Sequence, residues 1–381
     1  MVITVVCDVL GEENNGTTIA SMNLIRYLKA QGHTVRVLCP DQDKKGVEGY
    51  YVVDNLHFGK LLDAYVKKVG VTLSKPQEDV VCAALDGADH THIMLPFGLG
   101  TCALKIAKKA GISVTAGFHM QAENLTSYLK LNRVRWLNKA VYRYVYQHFY
   151  RFVDGVHYPT DFIRQTFENT VKHSTNGYVI SNGVHEYVQK RTAERPEALK
   201  GKFIILSTGR YAREKSQDTL IRAVGLSKHA NEIQLILGGQ GVKEKAYKKL
   251  AKKLPVYPIF KFYSRTEIID VLNYADMYVH PAEFELEGIS CLEAVACGKL
   301  TVVSNSRLSA TKAFALDDKC IFQNRSPKSL AKVIDYWIEH SQERAEYEKR
   351  YLENAVAFRQ DECMKRMEEM ILEIRHEKSR S

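Results

Sequence analysis

The sequence predicts an α/β protein made of two doubly wound, Rossmann-like halves in tandem. Three observations lead there. Short β-branched runs alternate with amphipathic stretches along the chain, the mark of parallel sheets with crossover helices. The order strand, glycine-bearing loop, helix opens at Val2 and opens again at Lys202. A chain of 381 residues exceeds one ordinary core and suits two.

Taken in order, Val2 to Cys7 reads as a buried strand. A loop with Gly11 and Gly16 follows, then an amphipathic helix from about Thr18 to Gln31, closed by Gly32. Further strands are expected at Thr34–Leu38, Gly49–Val53, Thr91–Leu95, Ile112–Phe118 and Gly155–Tyr158. In the second half, strands fit Lys202–Ser207, Ile233–Leu237, Ile259–Phe262, Met277–His280 and Leu300–Ser304, with a helix over Gln217–Leu226. The linker is placed at Ser181-Asn182-Gly183-Val184 and the charged stretch after it. The domains are then residues 1–182 and 183–355, with a last helix over 356–381 crossing back to the first domain.

The bulk numbers exclude several classes. A hydrophobic share of 45% and a charged share of 26% are those of a globular protein, not a disordered one. No apolar stretch approaches the roughly 18–20 residues of a membrane helix, and Asp8 and Glu12 come too early for a signal peptide. A cytoplasmic protein is expected. The 8 cysteines are scattered without a Cys-x-x-Cys pair, which suits reduced thiols rather than disulfides or zinc. The net charge of +10 favours an anionic partner.

The most informative stretch runs from His280 to Ala294. It leaves a strand end, crosses a turn at Gly288 and enters a helix whose first N–H groups suit an anion. Carboxylates beside a phosphate pocket repel it unless they bind something else, and sugar hydroxyls are the natural candidate. Glu285 and Glu293 stand seven residues apart and can both face that crevice. Acidic residues are also favoured in any first helical turn, which accounts for Glu285 and Glu287 but not for the deeper Glu293. The stretch Ser207–Ser216 adds a glycine turn at Gly209 followed by Arg210 and Lys215, a fork and a point charge suited to a diphosphate. Gly239 and Gly241 form a third strand-end turn.

This combination resembles the retaining glycosyltransferases of family 4, whose fold is GT-B: two Rossmann-like domains facing each other across a cleft. The family's E-x7-E pattern is met by Glu285 and Glu293, with Ala294, Ala296 and Gly298 after them. G-R-x-x-x-x-K is met by Gly209, Arg210 and Lys215, the G-x-G turn by Gly239 and Gly241, and the interdomain N-G-V by Asn182, Gly183 and Val184. In the first half the family's glycine loop matches Asn15-Gly16-Thr17-Thr18, and its strand-end histidine matches His119. Ser216 departs from the pattern, standing where glycine usually follows the lysine.

The resemblance implies that Arg210 and Lys215 hold the donor diphosphate and that Glu293 takes the ribose. Glu285, with the N–H groups of Gly288 and Ile289 and neighbouring Ser290, would hold the transferred sugar. The base would lie between Gly241 and the loop at Phe262, while Gly16, Thr17, Asn182 and His119 would serve the donor from the first domain. His119 packed simply as a strand-end histidine is the alternative. No Asp-x-Asp stands at a candidate site, so metal-independent transfer with retention is expected, with the nucleotide sugar as substrate and no cofactor.

For the acceptor, residues 124–153 contain no acid and interleave Lys130, Arg133, Arg135, Lys139, Arg143 and Arg151 with Tyr128, Trp136, Tyr142, Tyr146 and Tyr150. At helical spacing Leu137, Val141, Val145 and Phe152 would face the core, leaving Arg135, Lys139 and Arg143 on another face. That composition suits a helix lying on anionic lipid, and equally an exposed helix with a solvated basic face. The stretches Gly117–Asn124 and Glu287–Ala294 look like bacterial diacylglycerol glycosyltransferases within family 4. The resemblance implies UDP-glucose or a close relative as donor, a lipid acceptor and a peripheral place at the inner face of the cell membrane. Polysaccharide or soluble acceptors, sugar-nucleotide epimerisation and a non-catalytic sensor are the alternatives. No nucleic-acid motif accompanies the basic residues.

Overall fold

The computed structural model describes residues 1–10, 16–56, 74–127 and 134–380. Gly11, Asn15, Tyr128, Lys130 and Arg133 lie outside them. The chain divides into two compact units, residues 1–182 with 361–381, and residues 183–360.

In the first unit the elements run β1 (Val2–Val6), α1 (Gly16–Ala30), β2 (Thr34–Cys39), β3 (Tyr50–Val52), α2 (Glu78–Leu85), β4 (His90–Ile93), α3 (Gly98–Lys109) and β5 (Ser113–Gly117). Then come α4 (Ala122–Ser127), α5 (Arg135–His148), β6 (Gly155–Tyr158), α6 (Asp161–Val171) and β7 (Gly177–Val179). The strands form one parallel sheet in the order β3-β2-β1-β4-β5-β6-β7. The order reverses between β1 and β4, the place where a doubly wound sheet opens a crevice. There Asp8, just past β1, accepts from the backbone N–H groups of Leu99 (3.1 Å) and Gly100 (3.2 Å) and so caps α3, while Ser74 donates to it at 2.7 Å.

The second unit holds β8 (Phe203–Thr208), α7 (Gln217–Leu226), β9 (Ile233–Gly238), α8 (Glu244–Ala251), β10 (Ile259–Lys261), α9 (Arg265–Tyr274) and β11 (Met277–His280). It continues with α10 (Ile289–Ala296), β12 (Thr301–Ser304), β13 (Ile321–Phe322), α11 (Pro327–Glu339) and α12 (Ser341–Ala355). Its parallel sheet has the order β10-β9-β8-β11-β12-β13, reversing between β8 and β11. Period-two burial is plain in β8. Ile205 packs into one cluster with Leu235 and Val302, whereas Ile204 and Leu206 pack into another with Ile236 and Val303. Both faces are therefore covered, as a parallel sheet requires.

The last helix, α13 (Gln360–Arg380), packs against the first sheet. Cys363, Met364, Met367, Met370 and Ile371 recur at helical spacing and join Ile3, Val5 and Val37 in one core. Residues 356–360 stay with the second unit, where Gln360 N–H donates to Val184 O at 3.0 Å.

Gly155–Tyr158 and Met277–His280 match the expected strands to the residue, and the other expected strands differ by a residue or two at their ends. Two strands were missed, β7 and β13, which have three and two residues and are made by edge pairing rather than by an apolar run. Phe152 is a correction. The helix stops at His148 and a tight turn over Tyr150–Phe152 breaks the period, so Phe152 is 47% exposed while Tyr142, Val145, Phe149 and Tyr150 face inward. All eight cysteines are free, and six are buried.

Candidate active site

The second unit gathers most of the expected site residues around its switch point. Gly209 follows β8, Gly239 and Gly241 follow β9, and the loop 281–288 follows β11. The glycines are there because backbones meet. A Cβ on Gly239 would lie 2.1 Å from Gly209 O, and one on Gly241 would lie 2.7 Å from Tyr211 O. Ser216 takes the left-handed conformation (φ 52°) that glycine would adopt freely, so the substitution keeps the turn at a small cost in strain.

Lys215 donates to Glu285 across the switch point, and the two side chains are 18% and 12% exposed. His280 Nε2 lies 2.9 Å from the same carboxylate. An ionised carboxylate can only accept, so that nitrogen carries the proton and Nδ1 is left to accept from Tyr278 OH at 3.2 Å. Thr208 Oγ1 sits 3.0 Å from the same phenol oxygen. Burial works against ionising Glu285, but the Lys215 charge and the His280 bond outweigh it and hold the carboxyl at about 2. Glu285 is thus a fixed anion on a five-member relay from Thr208 to Lys215.

Helix α10 begins at Ile289 with Gly288 as N-cap (φ 88°, ψ 60°) and no side-chain cap. A Cβ on Gly288 would lie 2.5 Å from Thr311 Cγ2. The first intrahelical acceptor, Gly288 O, serves Cys291 and Leu292. That leaves the N–H groups of Ile289 and Ser290 without an intrahelical acceptor, at the positive end of the helix dipole. Glu293, one turn inside, lies in α10 with no hydrogen-bond partner for its carboxyl among the described residues. Burial pushes it up to about 7, only partly offset by the Arg265 charge.

Arg210 contrasts with Lys215. Its side chain is 59% exposed and, among the described residues, its one ion pair is with Glu214, at 3.5 Å. Phe262, just past β10, is 65% exposed, and Gly239 N–H donates to Lys261 O at 2.9 Å beside it.

In the first unit, Gly16 and Thr17 open α1, and Asn182 is the buried last residue before the chain leaves the unit. His119 follows β5, and its Nε2 is buried without a partner among the described residues. Burial, with a smaller push from His157, lowers it to about 3, so it is neutral. Its ring lies 5.4 Å from that of His157, whose Nε2 donates to Ile180 O at 2.7 Å. His157 is in turn 6.5 Å from His92. Arg135, Trp136, Lys139 and Arg143 are all exposed on α5, Trp136 at 72%.

Sequence reasoning included His280 and Thr208 in its informative stretches without giving either a role, and it missed Tyr278 and the pair of Arg325 with Glu283 that braces the loop after β11. Tyr278 and His280 stand two apart at a strand end, hence on one face, and that alternation was the available signal.

Residues 14–186 match the family model described as Glycosyltransferase Family 4, and residues 188–355 match Glycosyl transferases group 1. The chain is a family 4-type glycosyltransferase of GT-B fold. Its relatives include the alpha-monoglucosyldiacylglycerol synthase of Acholeplasma laidlawii, 24% identical over 346 residues, or 84% of each chain. Among solved structures, Anabaena HepE in complex with UDP and glucose is 16% identical, covers 98% of this transferase and 100% of that chain, and superposes with a TM-score of 0.72. The catalytic domain of cholesterol-alpha-glucosyltransferase from Helicobacter pylori is 43% identical over 40% of this transferase and 97% of that chain, with a TM-score of 0.40.

Proposed function

We propose that this transferase moves a hexose, most simply glucose, from a UDP-sugar to a membrane lipid such as diacylglycerol, with retention and without a metal. The observation that carries the donor half is Glu293, a carboxyl with no hydrogen-bond partner among the described residues, one turn inside a helix start that has no side-chain cap. A nucleoside diphosphate supplies what that arrangement lacks: phosphate oxygens for the Ile289 and Ser290 N–H groups and ribose hydroxyls to donate to Glu293. Arg210, exposed and weakly paired, closes on the diphosphate. Glu285, already fixed by Lys215 and His280, accepts from hydroxyls of the transferred sugar. The Lys215 charge lies beside the leaving phosphate. Gly16, Thr17, Asn182 and His119 are assigned to the sugar end of the donor.

In the reaction the bond from the anomeric carbon to the phosphate oxygen breaks. The acceptor oxygen bonds to that carbon on the same face, and its proton passes to the departing phosphate. The fixed cation and backbone N–H groups stabilise the charge that develops there, at on the order of 3 kcal/mol for each well-placed donor.

The acceptor half rests on the Acholeplasma synthase, whose name specifies a glucosyldiacylglycerol product, and on the exposed basic and aromatic face of α5. No described helix is long and apolar enough to cross a membrane. Three surface cations near anionic lipid contribute about 1 kcal/mol each, enough for reversible attachment at the inner membrane face. The test is transfer from UDP-glucose to diacylglycerol in anionic vesicles, with the anomer read by NMR and EDTA present. An α-linked glucolipid is expected. Transfer only to a soluble sugar defeats the lipid assignment, a β-linked product defeats retention, and abolition by EDTA defeats metal independence. Arg135, Lys139 and Arg143 all changed to Gln should weaken vesicle binding by about 100-fold and leave donor hydrolysis intact.

A further inference from the structure

A polar cavity lies within the second unit at the N-terminal ends of β11 and β12, whereas the site just described lies at the C-terminal ends of the strands. It has a volume of about 310 Å³ and opens between the 193–195 segment, the end of α9, Lys299 and the first two turns of α12. Its lining carries three cations, Arg195, Lys299 and Arg344, and two carboxylates, Asp276 and Glu348. The charges are unevenly matched. Arg195 is bound to Asp276 at 2.9 Å and to Tyr274 O at 2.8 Å. Lys299 is not satisfied in the same way. Its side chain is 8% exposed, yet among the described residues its ammonium reaches only Asn273 O at 3.4 Å and Glu348 Oε1 at 3.5 Å. Both exceed the usual 2.7–3.2 Å, and an ammonium has three protons to place. Arg344 donates to Trp337 O at 2.8 Å and stacks on the Phe203 ring, with no carboxylate paired to it among the described residues.

Burying a cation costs free energy unless it is paired and hydrogen-bonded, so a lysine held on a cavity wall by two long contacts is suited to an anionic ligand. Burial pulls the Lys299 ammonium below its ordinary range, with the Glu348 charge opposing. A bound oxyanion would reverse that. Helix α12 starts at Ser341 on the same wall without a side-chain cap, which adds partial positive charge.

We propose that this cavity binds a small phosphate monoester through Lys299 and Arg344, and that its occupancy tunes the donor site through α10. The volume holds a phosphate with a body about the size of a triose or hexose. The link to the donor site is short: Lys299 N–H donates to Ala294 O at 2.9 Å, so Lys299 is tied to the end of the helix that carries Glu293 and the Ile289 and Ser290 N–H groups. A ligand that fixes Lys299 restrains that helix, and by reciprocity the donor nucleotide must then alter affinity for the phosphate by the same factor.

The experiment is calorimetric titration of the full chain with inorganic phosphate, glycerol 3-phosphate and glucose 6-phosphate, with and without saturating UDP. Saturable binding that Lys299→Met and Arg344→Gln each weaken at least tenfold, and that Arg210→Ala leaves alone, is expected. UDP should then shift the phosphate affinity by severalfold without abolishing it. Vesicles of phosphatidic acid separate the two sources of a phosphate monoester: binding through Lys299 and Arg344 by vesicles alone assigns the cavity to a lipid headgroup rather than a metabolite. Arg344→Gln leaves Lys299 and Glu348 paired, so it reports even where Lys299→Met fails to fold. Phosphate binding that Arg210→Ala abolishes or UDP displaces outright, or no saturable binding to 20-fold over millimolar phosphate, overturns the proposal. These readings concern binding at Lys299 and are independent of which sugar or acceptor the enzyme uses.

Discussion

Replacing Lys215 by Met removes the cation from the Lys215–Glu285 pair while keeping most of the aliphatic stem. Glu285 then stays nearly buried with His280 as its remaining side-chain hydrogen-bond partner among the described residues. The structure sets the size of the effect. Its carboxyl is held at about 2 against 4.5 for an unperturbed glutamate, which corresponds to about 3 kcal/mol of stabilisation at neutral pH. The Lys215 charge is the larger stabilising cause and the His280 bond the smaller, so Lys215→Met should cost about 2 kcal/mol. Breaking fully buried pairs costs about 3–5 kcal/mol, and the residual exposure here places this pair below that. In a domain of about 180 residues the loss lowers Tm by roughly 4–8 °C. The sign with pH follows from the depressed value. The contribution is complete above about 4.5 and is lost as pH falls towards 2, so the difference between parent and variant should be equal at pH 6 and 8 and should shrink below pH 4. Differential scanning calorimetry of the full chain measures it. The double change Lys215→Met with Glu285→Gln should recover most of the stability, since no buried charge is left unpaired, yet should remain inactive. If the single variant melts within a degree of the parent, or the double variant is as unstable as the single, the pair does not hold Glu285 in the way described.

Arg210→Ala should cut kcat/KM by roughly 100-fold and leave Tm unchanged, because the side chain is mostly exposed and nearly unpaired; turnover near that of the parent removes it from the donor site. Glu293, raised to about 7 by burial, should fall when ribose hydroxyls donate to it, so UDP should bind more tightly as pH rises from 5.5 to 8 with release of up to one proton; buffer-dependent calorimetry showing no proton release contradicts the ribose role. Glu293→Ala should weaken UDP itself, whereas Glu285→Ala should weaken the UDP-sugar and spare UDP, and the reverse order reassigns the two carboxylates. His90, His92, His119 and His157 are held neutral by burial, His90 and His119 at about 3 and His157 at about 4. Their unfolded values near 6.5 mean that unfolding takes up protons below that pH, so the first unit should lose stability steeply between pH 6.5 and 4; a flat Tm over that window shows that the rings are already charged or exposed.

The sequence by itself determined the two restarts of strand, glycine loop and helix, because period-two and period-3.6 burial are local properties of neighbouring residues. It determined, too, which backbone positions must be glycine at strand ends, and that Glu285 and Glu293 share one turn-and-helix segment. Met277–His280 and Gln217–Leu226 were legible to the residue, since each begins and ends where its apolar pattern does. The edge strands β7 and β13 were not, because two or three residues carry no period and only the neighbouring strand makes them strands. Phe152 was misplaced because the helix ends before it, and helix ends depend on what the next turn packs against. What only the tertiary structure decided is who pairs with whom. Lys215 and Glu285 are 70 residues apart along the chain, as are Thr208 and Tyr278, and Lys299 meets Glu348 from another element. These partners are joined by sheet order and helix packing, and hydrogen bonds and charge interactions act over ångströms in space rather than over intervals in sequence.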